Sequence, residues 1–453
     1  MQAKKILNNI IKFSIKLMVK FGVTWPIVLI YARVIKEVMP VSRNGSKKAK
    51  TLLALTPIRF RGELEALAAA ADFRVLKVPF DWQCKVLALF WPKNLSEINF
   101  RERYFNPEGD SEIIELQTKI RSFLKIFLKA LYKKLSIDCV IGAGVWYIHD
   151  YDWGWMSKEI GVPYIILHRE NLVTSSKQRE YYLNKFKRLN KFRGNHIIVH
   201  NLVLKELLIQ SGFVSSDKVS VMGCIRMDNL IAQLKNMKKQ PKARGKVLLF
   251  SFHYGVGLQN VRNPGFVNRD LGLVNLFEHV HVSIAKLALK HKDIDFIIKP
   301  KWGGNWIDEI SYVLSKNSIE ISDVDNLQVL DDIDVHDLIM EADVVCGYGS
   351  TTLLEAAIAR KPVIIPYFDE LLKPEYSDNI HFKEFSHIFD VADSVGKFGE
   401  FIIHRLAKPE ITEECMEERY SVFNQYISSM DGNALENYVK EINQVISKVE
   451  AVA

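Results

Sequence analysis

With 453 residues the chain exceeds one ordinary core and calls for two domains with terminal additions. Its 48% hydrophobic and 25% charged residues fit a globular protein and exclude low-complexity and solenoid chains. The formal net charge of +8 is too diffuse for a nucleic-acid groove and suits an anionic membrane surface or a phosphate-bearing substrate.

The first stretch, Ile6 to Val19, interleaves apolar residues with Lys12 and Lys16, and Lys4, Lys5 and Lys20 flank it. A second apolar run, Phe21 to Ala32, is broken by Pro26. Neither run holds the roughly 18–20 uninterrupted apolar residues of a spanning helix. The interrupting lysines also argue against a signal peptide. The expectation for residues 1–45 is an amphipathic basic helix lying in the membrane interface.

From Lys50 onward, short apolar runs alternate with helical periodicity. Strands are expected at Thr51 to Leu55, Arg74 to Val78, Ile137 to Gly142, Val162 to Leu167, His196 to His200 and Lys218 to Met222. Gly62 to Ala71 reads as a helix, and Ser111 to Leu135, apolar at three- and four-residue steps, as a long amphipathic one. A lysine-rich stretch ending in Gln-Pro-Lys-Ala-Arg-Gly245 serves as a linker. A second series follows, with strands at Lys246 to Phe252, Ile294 to Lys299, Asp343 to Cys346 and Pro362 to Ile365. Its helices are expected at Leu276 to Lys290, Asp308 to Lys316, Val335 to Glu341 and Thr351 to Arg360. The expected organisation is an α/β protein with two Rossmann-like domains, 46–235 and 236–410, facing across a cleft, with C-terminal helices over 411–453. Five scattered cysteines without a C-x-x-C pair point to buried reduced thiols and away from zinc.

The densest chemistry lies in Asp343 to Pro366, where a strand runs into Gly347-Tyr348-Gly349 and then Ser350, Thr351 and Thr352 open a helix. Hydroxyls and backbone N–H groups there suit a phosphate, and Glu355, one turn on, suits ribose hydroxyls. The same pattern also fits an ordinary capped helix start. Lys299 and Lys301 leave a buried strand where they could meet phosphate, and Phe252-His253-Tyr254-Gly255 stands at the equivalent edge of the strand before. In the first half, His168-Arg169-Glu170-Asn171 leaves a strand straight into a polar loop, and Glu170 is the candidate general acid or base. Asp228 is a second carboxylate just past a strand, with Arg226 beside it, and it fits a helix cap equally well. Trp146 to Trp155 mixes aromatic rings with Asp150 and Asp152, a composition suited to sugar rings and their hydroxyls. Arg59 and Arg61 follow the first strand and suit an anionic group.

The Ser-Thr-Thr-x-x-Glu-Ala run followed by Lys-Pro-Val-Ile resembles the nucleotide-binding unit of GT-B glycosyltransferases of bacterial surface and capsular polysaccharides. Ile297 to Lys301 and Asp337 to Asp343 fit the same pattern in order, so the resemblance covers about residues 200–370. It implies a donor site of His253, Lys299, Lys301, Gly349, Ser350, Thr351, Thr352 and Glu355, with a nucleotide-sugar as substrate and no separate cofactor. Arg59, Asp150, Asp152, Arg169 and Arg226 are then the acceptor-side candidates. Retaining Kdo transferases carry a comparable carboxylate pair. That similarity implies Asp228 as nucleophile and Glu170 as acid/base, with His168 beside them and CMP-Kdo as donor. No Asp-x-Asp motif stands in a metal-binding context, so metal-independent transfer is expected. The setting implied is the cytoplasmic face of the cell membrane, with a glycan or glycolipid acceptor.

Three alternatives remain open. CDP-glycerol-type polyol-phosphate transferases have a related second domain. Non-hydrolysing UDP-sugar 2-epimerases share the fold and a His-Arg-Glu-Asn-like string, although theirs stands near the start of the second domain. A non-catalytic glycan assembly protein could use the same frame.

Overall fold

The computed structural model describes residues 23–38, 49–70, 72–91, 100–169, 171–236, 244–254, 272–301, 304–377 and 380–451. The expected amphipathic helix at Ile6 to Val19, most of the linker before Gly245, Gly255, Gly257 and Glu170 lie outside these residues.

Two compact units form. The first takes the chain up to Asn171, then Leu183–Asn229 and residues from Asp431 onward; the second takes Leu172–Tyr182 and Leu230–Met430. The expected C-terminal helices divide accordingly, Glu413–Tyr426 going with the second unit and Ala434–Glu450 with the first.

Among the described residues, the first unit holds a seven-stranded sheet: β1 (Lys36–Glu37), β2 (Lys50–Ala54), β3 (Phe73–Lys77), β4 (Cys139–Gly142), β5 (Tyr164–Leu167), β6 (His196–Val199) and β7 (Val219–Val221). The spatial order is β1-β3-β2-β4-β5-β6-β7, parallel except for β1 at the edge. Every residue of β4, β5 and β6 is buried, as parallel strands covered on both faces require. The helix Ser111–Leu135 matches its sequence periodicity. Asp110 caps its start by accepting from the Ile113 N–H (3.2 Å), and Ser136 ends it in the left-handed region (φ 54°). Its inner stripe, including Ile120, Phe123, Leu124, Phe127 and Leu131, is buried, at roughly 1.5–3 kcal/mol for each large side chain. Gly142 and Gly154 are needed for close approach: a Cβ at either would stand 2.4 or 2.2 Å from the buried Tyr164 ring or its hydroxyl.

The second unit holds β8 (Gly245–Phe250), β9 (Ile294–Lys299), β10 (Leu327–Val329), β11 (Val344–Gly347), β12 (Val363–Pro366) and β13 (Asp390–Ala392), all parallel. Their order is β10-β9-β8-β11-β12-β13. Counted from β8, this is the 3-2-1-4-5-6 arrangement of a dinucleotide-binding Rossmann sheet, whose strand order reverses between β8 and β11. In the first unit the reversal falls between β2 and β4. Open α/β sheets take ligands outside the carboxyl ends of the strands at such a reversal.

Candidate functional site

In the second unit, three separate sequence features meet at one sheet edge. Lys299, Phe250 and Gly347 stand abreast in register on β9, β8 and β11, so the segments leaving these strands are neighbours. Phe252 and Tyr348 pack edge-to-face across the reversal, with centroids 5.6 Å apart. Gly349 adopts φ 63°, a left-handed turn in which glycine costs least, and the chain then enters the helix Thr352–Ile358. The Ser350 hydroxyl oxygen accepts from the Thr352 hydroxyl (2.8 Å) and the Thr352 N–H (3.3 Å). The helix spans seven residues, fewer than the ten expected, so a bound anion would depend on the turn and its hydroxyls more than on a long helix dipole.

Two expected ligands here are turned inward. Glu355 is fully buried; one carboxylate oxygen accepts from the Thr351 hydroxyl (3.1 Å) and the other faces His336 Nε2 (3.2 Å). It therefore holds the turn instead of facing a ribose. Lys299 is 7% exposed and donates to the Pro300 and Asp331 carbonyls (2.9 Å each), so it ties the β9 and β10 ends together and is not an open cation. Lys301 is exposed, and His253 is half-buried against Tyr254 and Trp306, with burial lowering its imidazole pKa. Sequence reasoning passed over a buried chain beneath this edge. Trp306 Nε1 donates to the Ser251 hydroxyl oxygen (2.9 Å), and Ser251 meets His281 Nε2 (2.8 Å). His281 Nδ1 lies 2.6 Å from the Phe277 carbonyl, which can only accept, so Nδ1 carries the proton and Nε2 accepts from Ser251. Burial pushes this imidazole down to about 4, which keeps the relay neutral.

In the first unit the aromatic and acidic residues of Trp146 to Trp155 part company. Tyr147, Tyr151 and Trp155 line a small recess together with Phe105, Phe192 and Arg193. Asp150 and Asp152 point away from it and are each 1% exposed. Asp152 is paired with Arg121 (2.7 Å) and Tyr104, a core role that offers nothing to a sugar. Asp150 accepts through Oδ1 from Thr56 (2.6 Å) and Gln83 (2.7 Å), joining the loop after β2 to the helix after β4. His168 is fully buried; its Nδ1 accepts from the Val145 N–H (3.4 Å), and its ring packs edge-on to Trp146. It is thus a packing residue, out of a substrate's reach. Arg169 reaches Glu63 (2.6 Å) and the Arg59 carbonyl (2.9 Å). Asn171, also buried, pins this loop through the His168 carbonyl and the His200 N–H. Glu63 was missed by sequence reasoning; the Arg-Gly-Glu run after β2 is the one signal it leaves.

Asp228 serves as a cap. Its two oxygens accept from the N–H groups of Ala434 (3.1 Å) and Leu435 (2.8 Å), the first turn of the helix Ala434–Glu450, whose own N-cap side chain does not cap the helix backbone. This is the alternative the sequence left open, and it occupies the carboxylate expected as nucleophile. Asp228→Ala is expected to cost about 1–2 kcal/mol of stability, checked by urea unfolding and by faster amide exchange in residues 434–437. Among the described residues no group of three His, Cys, Asp or Glu could hold a metal ion, and the five cysteines are unbridged.

No family model and no curated protein matches the sequence. Solved structures do. A protein from Listeria monocytogenes described as a UDP-N-acetylglucosamine 2-epimerase superposes with a TM-score of 0.50 at 11% identity, over 89% of this chain and 98% of its own. The UDP-GlcNAc 2-epimerase of Neisseria meningitidis bound to UDP-GlcNAc gives 0.47 at 15% identity, over 87% and 99%. The wall teichoic acid polymerase TagF gives 0.45 at 12% identity, over 70% and 75%. The chain has the GT-B fold: two parallel α/β units of Rossmann type. At these identities the likeness extends to the fold alone.

Proposed function

We propose that the chain is a glycosyltransferase that takes a nucleotide-activated sugar at the β8/β11 edge of the second unit and passes the sugar to a glycan or glycolipid acceptor. The observation that carries this reading is the 3-2-1-4-5-6 sheet with Gly349, Ser350 and Thr351 standing beside Phe252 and His253 at its reversal point. The turn supplies backbone N–H groups and hydroxyls for phosphate oxygens, and His253 and Lys301 stand on the neighbouring strand ends. Glu170 remains the proposed acid/base. Asp228, engaged as a cap, drops out of the chemistry. CMP-Kdo is the proposed donor, on the resemblance alone.

The proposed setting is the inner face of the cell membrane. Among the described residues no helix is long and apolar enough to cross a membrane. The helix Trp25–Val34, which follows the lysine-rich first stretch, leaves Trp25 67% and Leu29 40% exposed on one stripe, side chains suited to an interface.

The test is a thermal-shift series against CMP, CDP, UDP, GDP and their sugar conjugates. Binding to the folded state alone adds about 2.7 kcal/mol at a ligand concentration 100 times Kd. One nucleotide class is expected to stabilise the protein. Ser350→Ala should weaken that response by about tenfold or more in Kd, since hydrogen bonds to charged groups contribute about 1.5–3 kcal/mol. No response to any nucleotide from folded protein would sink the proposal. A second reading, a nucleotide-sugar epimerase, draws on the fold shared with the Listeria protein. Interconversion of free UDP-GlcNAc without an acceptor would select it.

A further inference from the structure

The loop after β2 in the first unit brings arginines from three parts of the chain together. Arg59 and Arg61 follow β2, Arg169 follows β5, and Arg226 opens the helix Ile225–Lys235 after β7. Arg169 is the buried centre: its side chain is 14% exposed, and one guanidinium nitrogen is held by Glu63 (2.6 Å) and the Arg59 carbonyl (2.9 Å). Glu63 is itself 4% exposed and also accepts the Arg61 N–H (2.6 Å), so one carboxylate fixes both the turn and Arg169. The Nε–H of Arg169 is buried without a hydrogen-bond partner among the described residues. A buried guanidinium N–H left unmatched is costly and points to an acceptor group that arrives with a ligand.

The surrounding charge has the same sense. Burial, then Arg169 and Arg226, lower the proton affinity of Arg61, with Glu63 opposing them and Arg59 adding to the effect. The proton affinity of His200, just after β6, is lowered for the same reasons: burial first, then Arg169 and Arg226. Asp228 directs both oxygens at Ala434 and Leu435. Glu63 meets Arg169 and the Arg61 N–H directly. Arg59 and Arg61 are solvent-exposed, and nothing stands within 4 Å of a Cβ built on Gly62 between Arg61 and Glu63, so the loop has open space over it. Like charges held this close oppose folding unless an anion offsets them, and guanidinium forks match the paired oxygens of phosphate and carboxylate.

We infer that Arg59, Arg61, Arg169 and Arg226 form an anion subsite of the first unit that holds a phosphate or carboxylate carried by the acceptor. The assignment to the acceptor rests on the transferase reading; the anion site rests on the geometry alone. Glu63 is a positioning residue that sets Arg169.

The test uses calorimetric titration of the full chain at low salt with glucose 1-phosphate, glucuronate and glucose. One or both anionic sugars are expected to bind and glucose not; whichever binds tells phosphate from carboxylate as the group recognised. The double variant Arg59→Ala/Arg61→Ala should lower that affinity by about tenfold or more, while its melting temperature does not fall and its nucleotide response stays that of the parent chain. Because both side chains are exposed, the variant leaves the core intact. Equal binding of glucose, or unchanged anion affinity in the double variant, would overturn the subsite. Competition between the nucleotide and the anionic sugar would overturn its assignment to the acceptor. Arginine-dependent anion binding by a chain that binds no nucleotide would overturn the transferase reading and leave the anion site standing.

Discussion

Asp150→Asn is expected to stabilise the protein by about 2 kcal/mol at pH 8 and to destabilise it by about 0.5 kcal/mol at pH 4. Asp150 is 1% exposed, its Oδ2 has no hydrogen-bond partner among the described residues, and burial pushes its carboxyl up to about 6 despite the bonds from Thr56 and Gln83. In the unfolded chain an aspartate titrates near 3.9. Below pH 4 the group is neutral in both states and carries no penalty. Between about 4 and 6 the unfolded chain ionises first, so stability falls as pH rises, and above 6 the loss levels off at about 3 kcal/mol. Asparagine keeps the Oδ1 acceptor for Thr56 and Gln83 and removes the ionisation. Its unpartnered amide takes back about 1 kcal/mol. Urea unfolding of both proteins at pH 4, 6 and 8 reads the difference; a gain independent of pH would show that ionisation is not the cause.

Arg419→Met should have the larger effect, a loss of about 3–5 kcal/mol from the buried carbonyls it leaves unsatisfied. Arg419 is 1% exposed and lies on the helix Glu413–Tyr426. Its Nε and one terminal nitrogen donate to the Ile388 carbonyl (3.0 and 2.8 Å), and the other donates to the carbonyls of Lys361 (2.9 Å) and Ala357 (3.3 Å). Methionine fills the volume and leaves three carbonyls without this donor. Arg419→Lys should recover only part of the loss, because an ammonium cannot reproduce the planar fork. Ala357 belongs to the helix that begins at the Gly349 to Thr352 turn, so the anchor reaches the candidate nucleotide edge. The melting temperature should fall in both variants, and nucleotide affinity should fall with it in Arg419→Met. An unchanged affinity in a destabilised protein would confine the anchor to folding.

The elements were legible in the sequence wherever period and length agreed. Ser111–Leu135, Ile294–Lys299 and Val335–Glu341 appear with the ends their apolar spacing implies. Leu327–Val329 and Asp390–Ala392 did not stand out, because three residues are too few to carry a period. The helix Ile148–Glu159 was hidden for another reason: aromatic and acidic residues lie all round it, since it is buried on more than one side. For the site, sequence identified which strand ends carry polar residues and not where their side chains turn. Lys299, Glu355, Asp152 and His168 sit at the expected positions in the chain, yet their orientation is set by partners far off in sequence, among them Asp331, His336 and Tyr104. Glu63 was overlooked, and Asn171 was given no role of its own, because their work is to hold other loop residues in place.

The partition of the chain has a consequence for how the protein is made. The first unit includes the helix Ala434–Glu450, whose Tyr438 donates to the Gly223 carbonyl (3.1 Å) and whose Ile442 and Ile446 are buried. A ribosome delivers that helix only after the whole of the second unit has emerged. The surface that this helix covers must therefore wait uncovered while the rest of the polypeptide is still being synthesised. The second unit does not wait in this way, because Leu172–Tyr182 is already in hand when β8 begins. Order of synthesis and order of completion are thus inverted.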